Sequence, residues 1–553
     1  MTRRLSLPEK LIRLSLLGVA IAGVNQGFAQ QAEPQAVDES TVVYEAGFFT
    51  QYSPVSVNDM IDRIPGISLA LNGNRNNRGN SRGLGSGKGE ILINGQRTTG
   101  KNNEGRSQLS RIAADQVDYI EIIRGTSDDM DIRGGGQVVN VVLLDAQSRS
   151  SISAELNMDR LHDGTVDPGA KLSYTGQNGA FNYLFHIEAE PRYENRFTNE
   201  FSVDPDGELL ETRSQDNLRN QTEYETSFNL GYQFEKSMVQ FNGLFAENNP
   251  PTDITRTIND YTTGTLITTK EHENEIRERN NWEIGGDYEY SFDSGSKYRF
   301  LFIVNDRNFT YTRDRFDVFA DSEEKDLFLF SAGRDRERIG RTSYTFDLGS
   351  NQGMEIGFEG AQTIRDSDLR LGLPGTGITS VAHGGLVPQS VNNASSTVEE
   401  VRFENFAIHN WQINARMSLE SSLIYETSTI TQAGDVTNER DFSFVRPKLD
   451  YRFDITQSLQ LRTTIEKTVS QLSFYDFSAS TDNSDDDQNT QAGNPEIAQE
   501  QAWNYEMNLE YRLPNSIGVL NTELYYRDLT DVIDRIDISP SATDLQSARG
   551  NIG

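Results

Sequence analysis

Three runs decide the fold: Gly89-Glu90-Ile91-Leu92-Ile93-Asn94-Gly95-Gln96-Arg97, then Val117-Asp118-Tyr119-Ile120-Glu121-Ile122-Ile123-Arg124-Gly125, then Gly136-Gln137-Val138-Val139-Asn140-Val141-Val142-Leu143-Leu144. Each is a short β-branched run beside a glycine turn, the composition of a strand and its end. Between the first two lies a polar stretch closing on Gln108-Leu109-Ser110-Arg111-Ile112, enough for one or two helical turns. Upstream, Ser56 precedes apolar residues at 57, 60, 61 and 64, a helical spacing with an N-cap, and Pro65-Gly66 is a stop. The whole predicts a small α+β domain of about a hundred residues built on a mixed sheet.

The next stretch, about 400 residues, is different and follows a period of two. Phe181, Tyr183, Phe185, Ile187 and Ala189 share one face of a strand, with Asn182, Leu184, His186 and Glu188 opposite. Leu459, Leu461, Thr463 and Ile465 repeat this against Gln460, Arg462, Thr464 and Glu466. Apolar-out, polar-in alternation is what a lipid-facing, water-lined barrel needs. The connections alternate as well. Tight turns at 177–179, 235–237, 293–296, 349–353, 454–457 and 514–516 are separated by long polar loops at 192–221, 248–279, 366–397 and 474–500 and a medium one at 314–325. Short turns at one end and long loops at the other match a membrane-spanning barrel, with roughly 17 strands after residue 150. The tail Ser547-Ala548-Arg549-Gly550-Asn551-Ile552-Gly553 reads as non-strand, so the expectation is a barrel whose C-terminal strands are absent from this chain.

Composition agrees. Only 35% of the 553 residues are hydrophobic, and no run after residue 30 supplies the roughly 18–20 apolar residues of a spanning helix. Barrel strands need about 9–11 residues and expose apolar groups only at alternate positions. Acidic residues (83) outnumber basic ones (51), a net charge of −32 that argues against nucleic acid as a partner. There is no cysteine. Residues 1–29 combine Arg3, Arg4, Lys10 and Arg13, an apolar core over 14–24 and Gly27-Phe28-Ala29, the pattern of a secretory signal. The division expected is therefore 1–29 signal, 30–40 linker, 41–147 small domain and 148–553 barrel.

At this point the chain resembles the TonB-dependent outer-membrane receptors. Residues 56–67, ending in Pro65-Gly66-Ile67, resemble the family's opening helix and its stop. Arg82-Gly83 resembles its Arg-Gly turn, with Leu84 where an aromatic is usual. Asn94-Gly95-Gln96-Arg97 resembles the end of its Asp-Gly strand; Glu121 lies in the run that ends in Arg124-Gly125, and Asn140 in the closing Gly-Gly-Val-Ile-Asn-Ile strand. Ala492-Gly493-Asn494-Pro495-Glu496-Ile497, followed by Glu500, resembles a segment before a late strand. Thr126-Ser127-Asp128-Asp129-Met130-Asp131-Ile132-Arg133 departs from the family's Pro and Leu-Tyr-Gly, a mark of a divergent subfamily. The resemblance implies a barrel of about 22 strands when complete, with the small domain as a plug in its lumen. It implies residence in the outer membrane of a Gram-negative bacterium, against lipid and lipopolysaccharide. It also implies import of a scarce solute, a ferric siderophore first and an oligosaccharide next, energised by TonB and its inner-membrane complex. A plugged receptor or adhesin without coupled transport is the alternative. Thr41, Val42 and Val43 are either the TonB-coupling strand or the plug's own first strand.

Other residues have two readings. Arg75, Arg78, Lys101 and Arg106 are either an apical patch for an anionic iron chelate or sugar acid, or partners of acidic residues on the lumen wall. Gly83-Leu84-Gly85-Ser86-Gly87-Lys88-Gly89 imitates a phosphate loop, but Arg82 stands where Gly is required and no hydroxyl follows Lys88. Asp482-Asn483-Ser484-Asp485-Asp486-Asp487 offers hard oxygen ligands but lacks the Gly and distal Glu of a calcium loop. The five histidines lie far apart, and no nucleophile elbow or Cys nucleophile is present. No enzyme, metal site or cofactor is expected. Trp282, Trp411 and Trp503 fit either an interfacial belt or ordinary packing.

Overall fold

The structure, a computed structural model, describes residues 35–36, 41–64, 91–97, 109, 112–123, 138–144, 148–391, 393–477, 480–481, 490–513, 518–539 and 547–552. The expected signal, the stop at Pro65-Gly66, the phosphate-loop imitation and the acidic run 482–487 lie outside these residues.

The small domain is a six-stranded sheet of β1 (Gln35–Ala36), β2 (Thr41–Glu45), β3 (Ile91–Ile93), β4 (Gln96–Arg97), β5 (Val117–Ile123) and β6 (Val138–Leu143), ordered β1-β2-β5-β6-β3-β4. All pairs are antiparallel except β3 with β6. The β-branched runs fill one core: Val57, Met60, Ile61, Leu109, Ile120, Ile122, Val139 and Val141 are all buried together. The expected helix is Val57–Ile61, and Ser56 accepts from Asp59 N while the Asp59 carboxylate accepts from Ser56 N. This reciprocal cap satisfies two of the donors a helix start leaves open.

The barrel follows from residue 148. Among the described residues its sheet has nineteen strands. Four of them, Glu194–Val203, Leu209–Arg219, Pro251–Asp260 and Val387–Gln389, stand beyond the ring at the long-loop end, and the remaining fifteen form the wall. In the sheet order Val519–Thr530 neighbours Ser148–Arg160, and residues 181–191 pair with 222–233. Val519–Thr530 pairs antiparallel with Gln501–Arg512 on its other side, and its residues 520–530 are all exposed.

Several long loops proved to be strand. Residues 194–219 form a hairpin paired onto Pro251–Asp260, and 267–279 continue the wall strand Ile267–Ser291. The segment 314–325 is two strand ends around a short turn. The reason is that pairing needs only backbone hydrogen bonds, so each strand pairs on beyond the bilayer although both its faces are polar. Glu323–Gly349 has 27 residues, an extended length of roughly 90 Å against an apolar layer of about 30 Å. The tail is a second correction. Ser547–Asn551 is a strand, antiparallel to Ile533–Asp537 and parallel to Thr490–Ala492. It belongs to a separate four-stranded sheet, where only backbone pairing is required and no lipid-facing pattern marks it.

Outward faces locate the apolar band. On Lys297–Val318, Tyr298, Phe300, Phe302 and Val304 point out, and Asp306, Asn308 and Thr310 continue the same face. Hydrocarbon contact therefore ends near Val304. Phe185 and Ile187 are exposed and Leu184 and His186 buried, as the alternation predicts. Trp282 pairs with Asp306, at the band's edge.

Candidate functional site

The plug motifs meet in one network. Asn94 and Gly95 have φ of 53° and 77°, the left-handed pair of a two-residue hairpin turn. The Gly95 amide donates to Asn140 Oδ1 at 2.7 Å, and Asn140 Nδ2 donates to Glu121 Oε2 at 2.8 Å. Asn94 Oδ1 accepts from Leu143 N at 2.8 Å. Asn140 is 2% exposed, so its amide joins β3, β5 and β6 from inside. Thr41, Val42 and Val43 lie in β2, paired to Ile123, Ile122 and Glu121, with Val42 and Val43 paired on the other side to Ala36 and Gln35. Arg97 is in β4. Pro65, Gly66, Arg75, Arg78, Arg82, Gly83, Lys101, Arg106, Arg124 and Gly125 lie outside the described residues.

The plug meets the wall near the short-turn end. Gln116 Nε2 donates to Thr175 O at 3.3 Å, Thr175 Oγ1 donates to Gln116 Oε1 at 3.2 Å, and Leu184 enters the plug core. This contact is neutral. Among the described residues, acidic groups of the lumen face pair with cations of the wall itself. Arg341 pairs with Glu359, Glu359 with Arg402, Arg402 with Glu404, Glu404 with Arg446 and Arg446 with Glu426. The chain crosses five strands and alternates in sign, because each Arg and Glu occupies an inward position of its own strand.

Above the band lies a second cluster. Cross-strand register puts Arg307 opposite Asp335, Asp335 opposite Arg365, Arg365 opposite Val398, and Val398 opposite Gln432. Arg307 Nη2 and Arg365 Nη1 donate to the two oxygens of Asp335, each at 2.6 Å. Over this row folds the short turn Phe474–Phe477. Phe474 and Phe477 are buried with Val398, Ile430, Leu472 and Ile497, and Gln432 Nε2 donates to Phe477 O at 3.1 Å. Between these anchors Tyr475 reaches into the lumen. Its ring lies 3.3 Å from Arg365 Cζ and stacks on Phe309 at 6.3 Å and 24°. Burial raises the Asp476 carboxyl above the usual range, with Arg549 opposing.

Backbone carbonyls of the Gly-Asn-Pro segment are held by the wall: Asn393 donates to Gly493 O, Asn438 to Pro495 O and Arg440 to Ile497 O, at 3.2, 2.9 and 2.7 Å. Glu500 Oε2 accepts from Ile533 N. That motif therefore fastens the segment bearing Tyr475. Sequence reading did not single out Tyr475, Phe309, Arg307 or Arg365. Their separation hides them, and the only available signal is that 307, 309 and 365 fall on the inward parity of their strands.

A family model described as TonB dependent receptor-like, beta-barrel matches residues 212–553, and one described as TonB-dependent Receptor Plug Domain matches 33–145. A comparison with curated protein sequences finds no match. Among solved structures, the fold resembles the ferric enterobactin receptor of Pseudomonas aeruginosa (a mutant in complex with enterobactin) at 15% identity and a TM-score of 0.49, covering 94% of this chain and 77% of that one. The copper transporter OprC gives 11% and 0.49 over 93% and 75%. The alcaligin receptor FauA of Bordetella pertussis gives 11% and 0.43 over 93% and 75%.

Proposed function

The chain belongs to the TonB-dependent receptor family of the Gram-negative outer membrane, and from that premise we propose that it imports a scarce solute, most specifically a ferric siderophore, on energy delivered by TonB. The hairpin end is then extracellular and the short-turn end periplasmic. The observation that carries the reading is the cationic and aromatic row Arg307–Asp335–Arg365 with Phe309 and Tyr475, set inside the mouth above the apolar band. A large anionic chelate with aromatic arms is held by such groups.

Energy would enter at the other end. β1 is the edge of the plug sheet, and an edge accepts a further strand through main-chain hydrogen bonds. TonB, held by its inner-membrane complex, would add there and pull. Among the described residues, the plug network and the neutral Gln116–Thr175 contact would oppose that force.

The test is deletion of residues 30–40, which keeps β2 in place. Uptake of an iron chelate should vanish while binding at the surface persists. Uptake that is unchanged rejects coupled transport and favours a plugged receptor or adhesin. Induction by carbohydrate and not by iron starvation would move the substrate to an oligosaccharide.

A further inference from the structure

We propose that the lipid face of the wall carries a cleft at Gly340 and Gly360 that seats one acyl chain of lipid A, with a lipid A phosphate held by Arg338. The inference rests on the reading of the hairpin end as extracellular, which sets the outer leaflet and its lipopolysaccharide against this part of the wall.

Neighbouring strands build the cleft. On Glu323–Gly349 the outward residues run Arg338, Gly340, Thr342 from the upper edge of the apolar band downward, with Arg338 opposite Val304. Cross-strand register sets Gly340 between Phe302 and Gly360, and Gly360 next to Phe403. Two adjacent strands thus lack a side chain at one height. The rings part around the gap. Phe302 leans the other way, over Gly286, where a Cβ would lie 2.6 Å from its Cε1. Phe403 stacks on Phe358 at 5.8 Å and 22°, and the two rings lie 3.5 and 3.7 Å from the Cβ position of Gly360. Nothing lies within 4 Å of the Cβ position of Gly340, and its φ is not positive. Neither backbone nor packing therefore requires glycine there. Glycine inside a strand costs stability and marks the close approach of another group.

Charge names the head group. Three outward arginines, Arg334, Arg336 and Arg338, follow one another at the rim of the band. Arg334 pairs with Asp306 and Arg336 with Asp366. Arg338 is exposed and has no carboxylate partner among the described residues. Its Nη1 donates to the neutral Gln362 Oε1 at 2.8 Å, and Gln362 Nε2 donates to Glu399 Oε1 at 2.6 Å. Gly340 lies about 7 Å below Arg338 along the strand. A chain seated in the cleft therefore brings its head group to a guanidinium that no carboxylate cancels. A phosphate takes two N–H donors from such a group at once. A second copy packed here about a two-fold axis would instead bring two unmatched Arg338 groups into one interface.

The experiment is native mass spectrometry of the full chain in detergent, titrated with phosphorylated lipid A, dephosphorylated lipid A and phosphatidylglycerol. Folded state is checked by the compact band of unheated samples on gels. Phosphorylated lipid A should bind at least about 5-fold more tightly than either other lipid. Arg338→Gln should weaken it by about 3- to 10-fold. Arg196→Gln, an equal change of net charge on the distant hairpin strand Glu194–Val203, should leave it unchanged. Gly340→Leu fills the cleft from open space and should weaken it by about 3-fold, Gly340→Ala by less. Equal binding of the three lipids, or parent-like binding by Arg338→Gln or Gly340→Leu, overturns the site. A dimer that Gly340→Leu abolishes gives the cleft to a second copy and overturns it as well. The orientation beneath the inference is tested apart, by antibody access on whole cells to an epitope inserted at 204–208. An epitope that antibody reaches only in broken cells rejects that reading, whatever lipid A does.

Discussion

Arg402 is the centre of the lumen chain, and replacing it by Met puts the electrostatic reading at risk. Its Nη2 donates to Glu359 Oε1 at 3.1 Å, and its Nη1 donates to Glu404. The three side chains are 5%, 0% and 6% exposed. Hydrogen bonds to charged groups contribute about 1.5–3 kcal/mol each, and removing one member of a buried pair costs about 3–5 kcal/mol. Glu359 keeps Arg341 and Glu404 keeps Arg446, so the lower end applies, about 3 kcal/mol. The assay is the urea dependence of the compact gel band, approached from folded and unfolded sides. The double variant R402M/E404Q leaves two matched pairs, Arg341–Glu359 and Arg446–Glu426, and should recover at least half of the loss, about 1.5 kcal/mol. A single variant within about 0.5 kcal/mol of the parent, or a double variant worse than the single, would refute the reasoning and show that lumen water screens these groups.

Asn140→Leu removes two hydrogen bonds, one of them to the Glu121 carboxylate, and should lower local plug stability by about 2–4 kcal/mol; amide exchange over β5 and β6 in the intact receptor reads this, with exchange in the wall unchanged. Ser56→Ala should cost about 0.5–2 kcal/mol in the same assay, confined to Val57–Ile61. Asp476 has a raised folded pKa, so its contribution to docking of the Tyr475 turn is full below its ordinary value of 3.8 and is lost as pH rises through the raised one. Protease nicking near the turn should therefore increase with pH in that window, and Asp476→Asn should flatten the dependence.

The sequence made the architecture legible because periodicity is local. Period two along 181–189 and 459–466 needs no knowledge of neighbours, and neither does the cap at Ser56. Hairpins such as 194–219 were hidden because polar residues on both faces remove the hydrophobic alternation that marks a strand, while backbone pairing still forms there. The same holds for 547–551, which has no lipid face to write a pattern. The plug network was half visible: Asn94, Gly95, Glu121 and Asn140 stood in recognisable motifs, but only register shows that one amide joins them. The mouth site was invisible. Tyr475 lies more than a hundred residues from Arg365 in the chain, and only the folding of one segment across the wall brings them together.

The alternating chain of the lumen has a further consequence. Three arginines and three glutamates cancel within a few strands, so their field decays quickly toward the channel axis instead of summing to a potential of one sign. On the proposed import, a solute passing these six groups meets no net charge from them, and a change of ligand falls to residues elsewhere, those of the mouth first.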